Sequence, residues 1–86
     1  MPQLDVSAVT RIARQVAFQQ AVPLEVVGVL RSGSGSGYVE ILVNIDRCSK
    51  DPCQLLIGVF RNLSEAALRV DIASRLRRFL DNRRRS

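Results

Sequence analysis

The residues of this sequence with the most reactive side chains are two cysteines, Cys48 and Cys53. They flank a turn-like stretch, so three interpretations stay open: two reduced thiols, a disulfide or redox pair across a hairpin, and a metal site. Reduced thiols rank first for a protein in a reducing cytosol. We predict no metal, because structural zinc sites want four ligands and the chain has no histidine.

A glycine-serine stretch, LRSGSGSGYVEI, is the next candidate for chemistry. Dinucleotide-binding loops need G-x-G-x-x-G between a strand and a helix, and P-loops need Gly-Lys followed by Ser or Thr. Here the glycines at 33, 35 and 37 alternate with serines, and a strand-like segment follows. We therefore interpret the stretch as a flexible connection between two strands. No cofactor and no small-molecule substrate is expected.

The chain has no obvious catalytic group. Without histidine, the histidine-based forms of acid–base and nucleophilic catalysis are excluded. The serines of the glycine-serine stretch lack a base beside them, and no acidic pair has a spacing that compels a glycosidase-like site. The sequence thus predicts a protein without enzymatic activity.

The positive charge is concentrated in the last quarter of the chain. Residues 1–60 carry equal numbers of basic and acidic side chains, so the whole net charge of +5 falls in residues 61–86. Clustered arginines can bind the phosphates of nucleic acid, and a basic helix end is also what the helix macrodipole favours. The arginines considered for nucleic-acid binding are Arg75, Arg78, Arg83, Arg84 and Arg85.

Hydrophobic periodicity predicts two helices and three strands. Asp5 is a good N-cap for the first helix, and Asn62 with Glu65 resembles a capping box for the second. We predict a single domain over 1–81 and a frayed basic tail over 82–86. The predicted elements are a helix over 6–20, strands over 24–31, 38–46 and 53–61, and a helix that begins after Asn62.

Short connections between consecutive strands predict antiparallel pairing. Because each helix has a single apolar stripe, both should cover the same face of the sheet. The fold class is therefore a two-layer α+β sandwich of order αβββα. This order resembles that of the double-stranded RNA-binding domain, whose second helix opens with a lysine-rich motif. Here that helix opens with NLSEAA, and the first hairpin loop lacks the family's proline and histidine, so no functional residue is carried over.

The second face of the sheet is expected to be partly apolar. In YVEILVNID the odd-numbered residues alternate inward, which leaves Tyr38 and Leu42 on the other face. On the third strand either the odd-numbered residues or Leu56 and Phe60 face the core, and the sequence does not decide between them. Either choice leaves large apolar groups outside, which suggests a covered face.

Phe18 lies off the apolar stripe of the first helix, and two interpretations stay open: it tucks under the sheet, or it contacts a partner. We predict a non-catalytic interaction module that forms a homodimer or binds a protein, with nucleic-acid binding as the alternative. No stretch has the length of a membrane span or a signal peptide, so a cytoplasmic location is expected. The residues assigned to the partner face are Tyr38, Leu42, Leu56, Phe60 and Phe18.

Overall fold

The predicted order of elements, αβββα, is confirmed. The computed structural model describes residues 4–20, 24–31, 37–49 and 53–85. The glycine-serine stretch at 32–36 therefore lies outside the described residues. The elements are α1 (Val6–Phe18), β1 (Leu24–Arg31), β2 (Tyr38–Ile45), β3 (Gln54–Phe60) and α2 (Glu65–Arg85).

The strands form an antiparallel sheet in the order β1-β2-β3. Burial alternates residue by residue along β2, so the predicted inward face of odd-numbered residues is confirmed. The register pairs Ile57 with Ile41, which decides the orientation of β3. Its odd-numbered residues face the core, and Leu56 and Phe60 face away from it.

A bulge in β1 changes which of its residues face the core. The register shifts between Val26 and Gly28, so Val27 is an extra residue without a direct partner on β2. A bulge reverses the side-chain alternation beyond it. Val26 before the bulge and Val29 after it therefore both pack with the core, while Val27 is exposed.

Both helices pack on the inner face of the sheet, as predicted. One core cluster joins them to the odd-numbered residues of β2 and β3. The fold is therefore a two-layer α+β structure with one face of the sheet left open. The fully buried members of the cluster with the largest side chains are Ile12, Ile41, Ile57, Leu68, Ile72 and Leu76.

The first helix begins where the sequence predicts. The Asp5 carboxylate accepts a hydrogen bond from the backbone N–H of Ala8 at 2.7 Å, which is an N-cap contact. The helix ends at Phe18, two residues before the predicted end, and Gln19 forms its C-cap. The Gln20 side chain donates to the carbonyl of Val16 at 3.0 Å and satisfies a carbonyl of the last turn.

The predicted cap of the second helix is wrong. Ser64, not Asn62, accepts the capping hydrogen bond, from the N–H of Ala67 at 3.1 Å. Residues 61 and 62 still belong to the turn that leaves β3. Glu65 is consequently the first helical residue and reaches Arg11 of α1 at 3.1 Å.

Glu65 also pairs with Arg69, one turn later on α2, at 3.9 Å, but the closer contact of Arg69 is across the helices. Its guanidinium donates to the side-chain oxygen of Gln15 at 2.6 Å. Together with the ion pair between Arg11 and Glu65, this bond ties α1 to α2. Both contacts are exposed, so each contributes at most about 1 kcal/mol, and they orient the helices more than they stabilise them.

The second helix continues through residues 82–85, which the sequence analysis assigned to a frayed tail. Arginine is a strong helix former, and positive charge at a helix C-terminus interacts favourably with the macrodipole. Over its 21 residues α2 is about 31 Å long, and the molecule measures 40 Å in its longest dimension. Neither described helix has both the length and the hydrophobicity needed to cross a bilayer.

Candidate interaction face

The even-numbered residues of β2 and β3 form the outer face of the sheet. The ladder bonds join odd-numbered residues: the Ile45 N–H donates to Cys53 at 2.9 Å, and the Arg61 N–H donates to Gly37 at 2.7 Å. The even-numbered pairs are therefore the non-hydrogen-bonded pairs, whose Cα atoms lie only about 4.5 Å apart. Side chains of this outer face are consequently in close cross-strand contact.

An aromatic pair occupies one end of the outer face. Tyr38 and Phe60 are direct cross-strand partners, and their ring centroids lie 5.3 Å apart in an edge-to-face arrangement. The Tyr38 ring extends over Gly58, where an added Cβ would collide with the tyrosine hydroxyl and ring. Gly58 is thus required for this ring position. Gly58 was not among the predicted site residues, although a glycine inside a strand often marks a close approach.

Leu42 and Leu56 form a second apolar row across the same two strands. Leu56 is 51% exposed and Phe60 is 53% exposed, so the structure leaves large apolar area uncovered. Glu40 lies between the two rows, opposite Gly58 in the register. The four side chains of the two rows are called the apolar patch below: Tyr38, Phe60, Leu42 and Leu56.

Phe18 is not part of the apolar patch. Its side chain is 89% exposed, so the interpretation that it tucks under the sheet is wrong. It lies beside Arg14 and Gln19 on the solvent side of α1. Because α1 covers the inner face of the sheet, Phe18 and the patch are on opposite layers of the molecule.

The connection between β2 and β3 is closed by a disulfide. Cys48 and Cys53 are bonded, with their Cα atoms 5.7 Å apart. This is the second of the three interpretations of the cysteines, not the reduced thiols that were ranked first. Within the residues that the structure describes, no group of three or more side chains is suited to hold a metal ion.

Removing this disulfide is expected to lower the free energy of unfolding by about 2 kcal/mol, because the bond restricts a short loop in the unfolded chain. The double variant Cys48→Ser/Cys53→Ser should show the loss in urea denaturation, and wild-type protein in reductant should show the same loss. The double variant also provides the control for the reductant, because it has no disulfide and its denaturation midpoint should not change when reductant is added. Equal stability of the oxidised and reduced wild type would contradict the expectation.

The arginines proposed for nucleic-acid binding differ in their contacts where the structure describes their side chains. Arg75 bonds the Asp71 carboxylate at 3.2 Å, one turn earlier on α2. Arg78 is exposed, whereas the Arg83 guanidinium lies 3.6 Å from the Sγ of Cys48 and contacts the β2–β3 connection. The side chains of residues 84 and 85 lie outside the described part of the chain.

Comparisons with known proteins do not place the chain in a family. No protein-family model matches it, and neither curated proteins nor solved structures give a significant match. The likeness to double-stranded RNA-binding domains is therefore one of element order alone.

Proposed function

We propose that the chain is a non-catalytic interaction module that self-associates by packing the outer face of its sheet against the same face of a second copy. The observation that carries this proposal is the apolar patch, in which Leu56 and Phe60 are each about half exposed. A sheet with apolar side chains on both faces usually has both faces covered. Packing the patch of one copy on the other would remove this area from water.

The size of the chain and of the face favour a weak dimer. A domain of 86 residues buries a smaller fraction of its surface than a larger domain does, and two-fold pairing is the commonest way to cover more. The three-stranded face measures about 14 Å by about 25 Å. A face with these dimensions has an area well below the roughly 800 Å² per partner that a standard stable interface buries. Association in the micromolar range is therefore expected.

Sedimentation of the wild-type chain over a series of concentrations tests the proposal. The weight-average mass should rise from that of the monomer towards that of the dimer within the micromolar range. A chain that sediments as a monomer up to high micromolar concentration would contradict self-association.

Replacing Glu40 with glutamine is expected to strengthen the dimer about fivefold, which corresponds to about 1 kcal/mol. A two-fold axis through the patch passes near Glu40, because this residue lies between the two apolar rows. The two carboxylates of a dimer would then repel each other, and the amide removes both charges. Asp81→Asn, on the exposed side of α2 and away from the outer face of the sheet, is the matched control. Weaker association of Glu40→Gln would argue against a two-fold axis at this position.

Nucleic-acid binding is a second candidate, supported by the exposed arginines Arg77 and Arg78 on α2. It is the weaker candidate because Arg75 and Arg83 are already engaged within the chain. A gel-shift assay with RNA at low salt tests it: affinity should fall steeply with salt and be lost in Arg77→Ala/Arg78→Ala. The absence of any shift at low salt would remove this candidate.

The expected cytoplasmic location remains a prediction. The Cys48–Cys53 disulfide counts against it, because such bonds persist mainly in oxidising compartments. Non-reducing mass spectrometry of alkylated protein from its native source would show which state the cysteines hold there. Two alkylated cysteines would support a reducing compartment.

A further inference from the structure

A groove runs along the outer edge of β3, with α2 as its opposite wall. One concavity is lined by residues 55–57 of β3. Successive residues of a strand point to opposite faces, so a concavity that contacts all three lies along the strand edge. A second concavity includes Phe60 and shares Arg75 with the first, so the two adjoin at this arginine. The residues of α2 that line the first concavity are Arg75, Arg78, Phe79 and Asn82.

The edge of β3 in this groove can accept another strand. Because the odd-numbered residues of β3 bond to β2, the backbone N–H and C=O groups of Leu56 and Gly58 point to the free edge. Among the described residues, no backbone group bonds to them. Natural edge strands are usually guarded by charges, proline or a bulge. The other edge strand, β1, has a bulge, whereas the β3 sequence QLLIGVF has none of these features.

The charges of the groove wall indicate which strand would fit. Arg75 and Arg78 lie on the α2 side. Arg75 has an ion pair with Asp71, which lines the second concavity, whereas Arg78 has no ion pair within the described residues. Side chains of an added strand would alternate between α2 and the outer face. Acidic residues would meet the arginines, and the apolar residues between them would extend the surface of Leu56 and Phe60.

We propose that this groove binds an extended segment of a partner protein that alternates acidic and apolar residues, added as a fourth strand beside β3. A second copy of β3 fits less well. Its sequence contains no acidic residue, and pairing two β3 edges would bring two Arg75–Arg78 walls together. The proposed segment supplies the missing carboxylates and uses the free backbone groups, as in strand addition to other sheet edges.

The probe is a fluorescent peptide of the length of β3 that alternates glutamate and valine, titrated with the full chain at low salt. Fluorescence anisotropy should show saturable binding that weakens with salt, and a peptide with lysine in place of glutamate should not bind. Arg78→Glu should weaken binding by about fivefold, the upper end of the effect of one exposed ion pair. Arg14→Glu, on the solvent side of α1, is the matched control and should leave binding unchanged.

Peptides N-methylated at alternate residues separate strand addition from a purely electrostatic contact. Methylation of the set of amides that faces β3 should abolish binding, and methylation of the other set should not. Equal binding of both peptides, or of the glutamate and lysine peptides, would overturn the proposal. It would also be overturned if no peptide binds. If Arg78→Glu then changes the self-association of the chain, a second copy occupies the edge instead.

Discussion

Leu56→Glu is expected to convert the proposed dimer into a monomer. Losing the leucine contact and desolvating a carboxylate should together cost at least about 1.5 kcal/mol in each copy. In a two-fold interface the substitution enters twice, so the dissociation constant should rise by roughly a hundredfold or more. Sedimentation equilibrium of the variant and the wild type measures this change. Leu56 is half exposed in the single chain, so the substitution leaves the core intact.

Phe18→Glu is the matched control for this experiment. Phe18 is also an exposed large apolar residue, at 89% exposure, but it lies on α1 and not on the outer face of the sheet. Its replacement should leave the association unchanged, and circular dichroism should confirm that both variants are folded. If Leu56→Glu and Phe18→Glu associate like the wild type, the outer face is not the dimer interface. If both weaken association equally, the effect is one of charge and not of position.

Ile72→Ala is expected to lower the free energy of unfolding by about 2–5 kcal/mol. Ile72 is 1% exposed and belongs to the core cluster that joins both helices to the sheet. Truncation would leave a cavity between α2 and the sheet and remove the transfer free energy of its side chain. In a small domain, whose total stability is typically about 5–15 kcal/mol, this is a large fraction. Urea denaturation followed by circular dichroism measures the change.

Val70→Ala on the same helix should change stability by no more than about 0.5 kcal/mol, because Val70 is mostly exposed. The two positions are two residues apart, so the comparison tests the rotation of α2 about its own axis. Similar losses for both variants would mean that α2 does not present its Leu68, Ile72 and Leu76 side to the sheet. A larger loss for Val70→Ala would indicate that this residue is covered by another molecule.

The orientation of β2 could be read from the sequence because one set of alternating residues is wholly aliphatic. The orientation of β3 could not, because both alternating sets contain large apolar residues. The pairing of Ile57 with Ile41 decides it, and pairing is a contact between segments distant in sequence. In β1 the bulge at Val27 reverses the alternation of inward and outward side chains within one strand, and no local sequence pattern indicates that change.

The two helix N-termini also differ in whether the sequence alone determines the capping residue. Asp5 is the only good cap before the first apolar stripe, and the structure uses it. Before α2 both Asn62 and Ser64 are residue types that cap helices well. The Arg61 N–H still bonds to Gly37 at the end of β3, and the helix is capped by Ser64, which accepts from the Ala67 N–H. The Tyr38 ring over Gly58 and the bond between Cys48 and Cys53 likewise depend on how neighbouring strands bring residues together.

The sequence by itself determined the order of elements, the inward face of β2, the absence of histidine chemistry and the concentration of charge in residues 61–86. Each of these depends on composition or on a period within one segment. Only the tertiary structure decided that Leu56 and Phe60 join Tyr38 and Leu42 on the open face and that Phe18 does not. The tertiary structure also determines the edge groove between β3 and α2. These features depend on register and on helix placement, which are set by packing between distant segments.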